Sequence, residues 1–229
     1  MPSADDKPRR RRVNGEASQQ KILEAATEIA AERGYEGTSI GLVSERSGLP
    51  ASSIYWHFKD KDALIAAVIE HSFAAWLATA GEPEPSTDGG GSVDEELSAM
   101  MHRTATALRD SSDFLRLGLM LALERRAEEP TARRRFLDVR EEALTRTIAT
   151  FARLFPQLDA AALRLLGTFA LATADGLFIA QEVDGDDAPI AAAFDLLGSA
   201  IHIAAQQLLA TSATAKKAGK RRTVRETAR

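Results

Sequence analysis

The chain has 229 residues, of which 45% are hydrophobic and 27% are charged, a composition typical of soluble globular proteins. It contains no cysteine, which excludes disulfides, thiol nucleophiles and thiolate metal sites. The net charge of −4 is unevenly distributed, because residues 1–80 carry −1, residues 81–215 carry −9 and residues 216–229 carry +6. Attraction to a polyanion by bulk charge is therefore confined to the two basic tails.

The sequence predicts neither export nor membrane insertion. The basic run at residues 7–12 is followed by polar residues rather than by the apolar segment of a signal peptide. The most apolar region, residues 160–180, is interrupted by Arg164 and Asp175, which leaves too few apolar residues for a membrane span. We expect a cytoplasmic protein, associated with the nucleoid through DNA and without a membrane partner.

Four helices are predicted in the first 80 residues. Apolar residues at helical spacing mark the first, second and fourth of them, and Gly34 ends the first. The expected N-caps are Ser18 for the first helix, Thr38 or Ser39 for the second and Asp60 for the fourth.

Residues 47–58 are the most informative segment, because they combine a turn with a short helix. Gly48 is expected to end the second helix, since glycine enters the left-handed conformation without a Cβ penalty. Pro50 suits the first position of the third helix, where no backbone N–H is needed. Ile54 and Phe58 are four residues apart and form one apolar face. Small residues at the start of this helix and aromatic donors at its end are typical of insertion into a DNA major groove.

A proline-, glycine- and serine-rich segment, residues 81–92, is predicted to be a linker. It separates a DNA-binding domain of residues 16–80, with its helix-turn-helix at about residues 39–58, from a helical domain of residues 93–211. Residues 1–15 and 212–229 are expected to be disordered basic tails. Helices are predicted in the second domain at residues 93–109, 114–126, 130–154, 159–183 and 189–211. No strand pattern of period two occurs, so the fold class is all-α.

The last predicted helix carries a continuous apolar stripe. Its members recur every three or four residues and are Ile190, Phe194, Leu197, Ile201, Ala205 and Leu208. Such a stripe is typical of a helix-packing seam. One face of the last two helices must meet its own domain, and we expect the other apolar surface to meet a second copy of the chain.

Residues 16–76 resemble the TetR family of bacterial transcriptional regulators. The matching residues are residues 34–40, Val43, Gly48, Leu49, residues 54–58, Lys61 and Leu64. The family pattern combines a turn, a cap and two apolar spacings in this register, which is more specific than a bare helix-turn-helix. The departures are Leu42 in place of an acidic residue, Ser44 and Ser47 in place of alanines, Pro50 in place of a serine, and Ser52 in place of a small residue or glycine.

The resemblance implies an N-terminal three-helix, helix-turn-helix DNA-binding domain, joined by helix 4 to a C-terminal helical domain for ligand binding and dimerisation. The third helix is then expected in the major groove of double-stranded DNA. The implied base and phosphate contacts are Thr38, Ser39, Ala51, Ser52, Ser53, Tyr55, Trp56, His57 and Lys61. The basic run of Arg9, Arg10, Arg11 and Arg12 is either a solvated tail or a further contact with phosphates or the minor groove.

Beyond residue 80 the resemblance is one of architecture. It implies an effector pocket, for which the candidate residues are Phe114, Met120, Arg140, Thr147, Phe151, Phe169 and Thr173. Ordinary core packing is the alternative for most of them, and their apolar character favours a hydrophobic or amphipathic ligand. The last two helices are implied to dimerise, with candidate interface residues Phe178, Phe194, Leu197, Ile201 and Gln206.

These observations favour a sequence-specific transcriptional regulator without cofactor or metal. The expected mechanism is that of a homodimeric repressor, released from a palindromic operator by a small apolar or amphipathic ligand. An activator or a ligand-independent regulator of the same family is the alternative. An enzyme is disfavoured, because the four histidines are far apart in sequence and no catalytic motif is present. A protein-interaction module whose helix-turn-helix no longer binds DNA is a third hypothesis.

Overall fold

The computed structural model describes residues 6–81, 91–110, 113–124, 130–185 and 188–227, and within these ranges it describes side chains from residue 15 to residue 211. The described residues form helices and connections without a strand, which confirms the all-α prediction. The helices are α1 (Asp6–Gly37), α2 (Ile40–Ser47), α3 (Ala51–His57), α4 (Lys61–Ala80), α5 (Val93–Asp110), α6 (Asp113–Leu123), α7 (Thr131–Leu154), α8 (Ala160–Asp184) and α9 (Ile190–Thr227).

Local sequence signals explain where most of these helices begin and end. α1 is kinked at its predicted end, where Gly34 has a φ of 67°. Ser39, Asp60 and Asp159 cap α2, α4 and α8, and each side chain accepts from the backbone N–H three residues later. Pro50 occupies the N-cap of α3 rather than its first helical position, because its ψ of 150° is extended.

Both terminal helices reach further than predicted. α1 begins at Asp6, inside the segment expected to be disordered, and α9 continues to Thr227, past the expected end at residue 211. Arginine and lysine, which have high helix propensity, are frequent in both extensions, and the extension of α9 also contains three alanines. A high density of like charge therefore does not prevent either helix from continuing.

Residues 1–78 and 110–140 form one compact unit. Its buried side chains include Ile22, Ile29, Val43, Ile54, Leu64 and Phe136. The predicted linker divides the chain by sequence order, whereas the contacts group α6 and residues 131–140 of α7 with the helix-turn-helix. Gly118 allows α6 and α7 to pack closely within this unit. A Cβ at this position would lie 1.9 Å from the ring of Phe136 on α7.

Residues 79–109 and 141–229 form the second unit. Within it α8 packs against α9. The apolar stripe predicted on α9 faces this core, because Phe194, Leu197, Ile201 and Ala205 are each buried.

Two of the described helices, α4 and α8, are long and apolar enough to cross a membrane by length and composition, although the sequence analysis expected none. Arg164 and Asp175 do not lower the hydropathy of α8 enough to prevent this. Length and composition do not separate a spanning helix from the core helix of a soluble protein. In α4, for example, Leu64, Ile65 and Val68 are buried within the first unit.

Candidate nucleic-acid interface

The turn between α2 and α3 is held by two serine side chains. α2 ends at Gly48, whose φ of 69° is left-handed, as predicted. The Ser44 hydroxyl donates to the carbonyl of Leu49 at 2.7 Å, and the Leu49 N–H donates to Ser47 Oγ at 3.3 Å. In the sequence these two serines stand out only as departures from a family pattern. Their signal was the pair of hydroxyls flanking the turn glycine.

α3 presents one buried face and one exposed face. Ile54 and Phe58 are buried, at 0% and 6% exposure, as their spacing predicted. Tyr55 and Trp56 are 56% and 75% exposed, so they are not the packing aromatics that a core role would require. Ser52 is also exposed. Hydroxyl, phenol and indole groups are therefore directed away from the core of this unit.

Residues of α1 and α3 line an open cleft of about 380 Å³. Its lining residues are Gly15, Ser18, Ser52, Ser53, Trp56 and His57. Trp56 and His57 meet edge to face, with ring centroids 4.5 Å apart. Burial lowers the pKa of His57 below its ordinary value of 6.5, so the ring is mainly neutral at pH 7 and contributes hydrogen bonds rather than charge. Gly15 and Ser18 join the candidate face only because α1 begins before them.

Thr38 or Ser39 was predicted to present backbone N–H groups to a phosphate, and the two residues differ in exposure. Thr38 is 1% exposed, its hydroxyl donates to Gly34 O at 2.8 Å, and its N–H donates to Tyr35 O at 3.3 Å. Both donors of Thr38 are therefore used within the chain and buried, and a contact of Thr38 with DNA requires them to leave these partners. Ser39 is exposed at the N-terminus of α2, where its side chain accepts from Leu42 N–H at 3.3 Å.

Lys61 is engaged within the chain rather than free for phosphate. Its Nζ donates to Tyr35 O at 3.1 Å and lies 4.3 Å from the centroid of the Tyr35 ring. It also pairs with Glu36 at 3.6 Å. Lys61 thus holds the turn before α2, and a contact with DNA requires its side chain to leave these partners.

A second cation also serves the packing of this unit. Arg46 of α2 pairs with Glu28 and Glu32 of α1 at 3.0 and 3.3 Å. Its hydrogen bond lowers the pKa of Glu32. The side chains of the predicted run Arg9–Arg12 lie outside the described residues.

The predicted effector residues are divided between the two units. Phe114 and Met120 belong to the first unit, where Phe114 is buried against Phe73 and Trp76 at centroid distances of 5.3 and 5.7 Å, and Met120 is 52% exposed. Arg140, also in this unit, is half buried.

The other four candidates belong to the second unit, and each has a simpler role. Phe151 is fully buried beside Phe155, and Phe169 is 42% exposed. The hydroxyls of Thr147 and Thr173 donate to carbonyls four residues earlier in their own helices. A cavity in this unit, bordered by α5, α8 and α9, measures about 20 Å³, which is about the size of one water. Among the described residues, no group of three or more histidines and carboxylates is placed to hold a metal ion.

Four of the five predicted dimer residues are core residues of their own chain. Phe178, Phe194, Leu197 and Ile201 are at most 5% exposed and cannot reach a second copy without unfolding. Gln206 is exposed, and its side-chain nitrogen lies 2.8 Å from the ring of His202. Periodicity identified an apolar stripe correctly, but a stripe facing the core and one facing a partner share the same spacing.

Different residues of α8 and α9 are apolar and exposed. They are Leu165, Phe169, Ile179 and Val183 on α8 and Leu196 and Ile203 on α9, with exposures between 42% and 76%. On α8 the spacing is that of one helix face, and Gly176 lies on the same face with open space where a Cβ would be. We call these six side chains the outer stripe.

A family model described as bacterial regulatory proteins, tetR family, matches residues 22–68. The chain is 32% identical over 82 residues to the HTH-type transcriptional regulator TtgR of Pseudomonas putida. It is 37% identical over 65 residues to the HTH-type transcriptional repressor AcnR of Corynebacterium efficiens. The matches cover 35% and 28% of this chain, and they span 39% and 35% of the two relatives, little more than a third of each.

Solved structures share the fold over most of the chain. A transcriptional regulator from Aquifex aeolicus has a TM-score of 0.60 at 20% identity, covering 81% of this chain and 98% of its own. The regulator FadR from Bacillus subtilis, solved in complex with stearoyl-CoA, has a TM-score of 0.63 at 16% identity, covering 80% and 96%. Residues 22–68 therefore match the TetR family of bacterial transcriptional regulators, and most of the chain shares its fold with solved transcriptional regulators.

Proposed function

We propose that this chain is a sequence-specific DNA-binding regulator of transcription, most simply a homodimeric repressor that a small ligand releases from a palindromic operator. The observation that carries the proposal is the exposed face of α3. Tyr55 and Trp56 project into solvent while Ile54 and Phe58 anchor the same short helix. A short helix anchored on one face, with hydroxyl and aromatic donors on the other, is suited to contacts with base edges and phosphates.

Binding to duplexes selected from a random library, and to the DNA upstream of the gene, tests this proposal. The double substitution Ser53→Ala, Tyr55→Ala is expected to weaken specific binding by about thirtyfold or more, since each of two base contacts is worth roughly 1–3 kcal/mol. The matched control is Ser98→Ala, His102→Ala, which removes a hydroxyl and a ring four residues apart from exposed positions on α5. Specific binding that survives the first substitution, or a native protein that selects no sequence at physiological salt, contradicts the proposal.

Dimerisation is proposed through the outer stripe rather than through the residues first expected. Six large apolar side chains on two packed helices are costly to leave in water. A second copy related by twofold symmetry would cover the same surface on both chains. Two copies of α3 could then meet successive major-groove faces, about 34–36 Å apart.

The effector is proposed to be small, apolar or amphipathic, with a hydrogen-bond acceptor. Trp76 and Phe73 stack at 5.8 Å, and both rings meet Phe114. In the described part of the chain, Trp76 Nε1 and Ser72 Oγ are buried and have no hydrogen-bond partner. A ligand oxygen beside these rings would satisfy such donors. FadR of Bacillus subtilis, which shares the fold, was solved with the amphipathic stearoyl-CoA.

The chain has two tryptophans, which allows the effector site to be tested by fluorescence. In a Trp56→Phe variant, Trp76 is the sole indole emitter. A compound that raises the melting temperature should also change this emission. A thermal shift without any change in Trp76 emission would contradict the aromatic site.

The basic N-terminal run is proposed to add general attraction to DNA. Deleting residues 1–12 should weaken binding to all sequences and flatten its dependence on salt. An unchanged salt slope would contradict this role.

A DNA partner also implies a cytoplasmic, nucleoid-associated location. An activator remains the alternative to a repressor. Expression of a reporter gene from the regulated promoter should fall in the presence of the protein if it is a repressor and rise if it is an activator.

A further inference from the structure

α7 begins without a cap of its own. The first N–H groups of a helix have no partner within the helix. α2, α4, α5 and α8 each pair one of them with a preceding side chain, namely Ser39, Asp60, Ser92 and Asp159. The residue before α7 is Pro130, which has no side-chain oxygen.

Asp62, in the first turn of α4, supplies the acceptor that α7 lacks. Its Oδ2 accepts from Thr131 N–H at 2.6 Å, and its Oδ1 accepts from Ala132 N–H at 3.2 Å. A carboxylate is favourable at this position because a helix N-terminus carries partial positive charge. Further along the same two helices, Arg135 pairs with Glu70 at 3.0 Å.

The same carboxylate reaches the turn that precedes α2. The buried Tyr35 donates its hydroxyl to Asp62 Oδ1 at 3.3 Å. The carbonyl of Tyr35 accepts from Thr38 N–H, and the next residue, Ser39, is the cap of α2. Hydrogen bonds therefore link the start of α7, through Asp62 and Tyr35, to the turn that precedes α2.

We propose that Asp62 is a positioning residue that fixes the turn before α2, and with it the packed pair α2 and α3, against the N-terminus of α7, acting through Tyr35. α7 continues to Leu154, and its residues from 141 onward belong to the other unit. α7 is thus one continuous helix with residues in both units. The inference rests on the proposed DNA-binding function.

Hydrogen exchange and DNA binding together test this role, with a duplex selected from a random library by the native protein as the probe. Asp62→Ala should raise exchange both at residues 131–135 and at residues 35–57, and weaken DNA binding about fivefold or more. Tyr35→Phe should raise exchange at residues 35–57 while leaving α7 protected. The matched control is Asp159→Ala, which removes the equivalent cap of α8 and should loosen the start of that helix with DNA affinity unchanged.

A double-mutant cycle separates coupling from two independent local effects. If Asp62 acts through Tyr35, the double variant should bind DNA no more weakly than Asp62→Ala alone. The inference is overturned if the effects of the two substitutions on DNA affinity multiply in the double variant. It is also overturned if Asp62→Ala raises exchange at residues 131–135 only and keeps DNA affinity within about twofold of native. If Asp62→Ala does not fold, Asp62→Asn keeps one acceptor oxygen and is expected to give a smaller change in the same two segments.

Failure of the inference is distinguishable from failure of the proposed function. A native chain that selects no duplex refutes DNA binding. The exchange measurements then decide alone whether the α7 N-terminus and residues 35–57 respond together to Asp62→Ala.

Discussion

His57 is partly buried and also lies on the proposed DNA-binding face. Its protonation should therefore lower the stability of the fold but raise the affinity for DNA. Burial lowers its pKa in the folded chain. The unfolded chain therefore takes up a proton first as pH falls below about 6.5. The contribution of His57 to stability is complete above that pH and is lost as pH falls through the lower folded value.

DNA binding should show the reverse trend, because phosphate favours the charged imidazolium. We expect affinity to rise as pH is lowered from about 7.5 to about 5.5, and His57→Gln to flatten that rise. The measurement is the dissociation constant at constant ionic strength across the pH range. His102→Gln, at an exposed position on α5, is the control. An equal pH slope in His57→Gln and native protein would show that His57 does not titrate against DNA.

Ser44 and Ser47 should stabilise the turn between α2 and α3 by hydrogen bonds to the backbone of Leu49. Their side chains pair with the carbonyl and the N–H of Leu49. Ser44→Ala, Ser47→Ala is expected to lower the free energy of unfolding by about 1–2 kcal/mol, since each net hydrogen bond is worth about 0.5–1.5 kcal/mol. Urea denaturation measures the change. Ser199→Ala on α9, whose hydroxyl bonds only its own helix, is expected to change stability little.

At single residues, the sequence predicted backbone requirements better than side-chain availability. Gly48 and the buried pair Ile54 and Phe58 follow from conformation and spacing, and both were confirmed. Thr38 and Lys61 were expected to face DNA, but they bond to the turn at residues 34–36. The partners of Lys61 lie about 25 residues earlier in the sequence, so no local pattern identifies them.

At the scale of elements, α6 and α7 pack so closely at Gly118 that adding one methyl group there should force the two helices apart. A Cβ at Gly118 would lie 1.9–2.4 Å from ring carbons of Phe136. Replacing a helical glycine by alanine ordinarily stabilises a helix by up to about 1 kcal/mol. We expect Gly118→Ala instead to destabilise the first unit by roughly 1–3 kcal/mol, through overpacking.

Gly41→Ala on α2, in the same unit, is the matched comparison, because the nearest atom to the position of its Cβ is Ser39 Oγ at 3.9 Å, an ordinary contact. It should leave stability unchanged or raise it slightly. Thermal and urea unfolding of the two variants measure the difference. If both variants are equally stable, the close approach of Phe136 is not a constraint in solution.

Helix positions were largely predictable, but the partners of the helices were not. Caps such as Asp60 and Asp159 are local signals and mark their helices correctly. The cap of α7 comes from Asp62 on another helix, at a sequence distance that no cap pattern covers. The stripe containing Phe194 and Ile201 was predicted from its period, but whether it faces the core or a partner depends on where α8 lies.

At the scale of the whole molecule, the outer stripe makes the assembly testable independently of DNA. Ile179→Lys places a charge on an apolar face that we propose is covered by a second copy, so each dimer would bury two unpaired ammonium groups. We expect the dimer dissociation constant to rise by about a hundredfold or more, while the fold is retained because Ile179 is 46% exposed within its own chain. Light scattering and sedimentation over a concentration series measure the mass.

Glu182→Lys on the same helix is the control, since Glu182 is exposed but lies off the outer stripe. It should remain as dimeric as the native chain. Ile179→Lys should also lose affinity for a palindromic duplex more than for a single half-site, because a monomer gives up the second recognition helix but keeps the first. Unchanged mass in Ile179→Lys would place the interface elsewhere. Equal losses on both duplexes would mean that the substitution damages the DNA-binding unit, since only separation of the two copies predicts a selective loss on the palindrome.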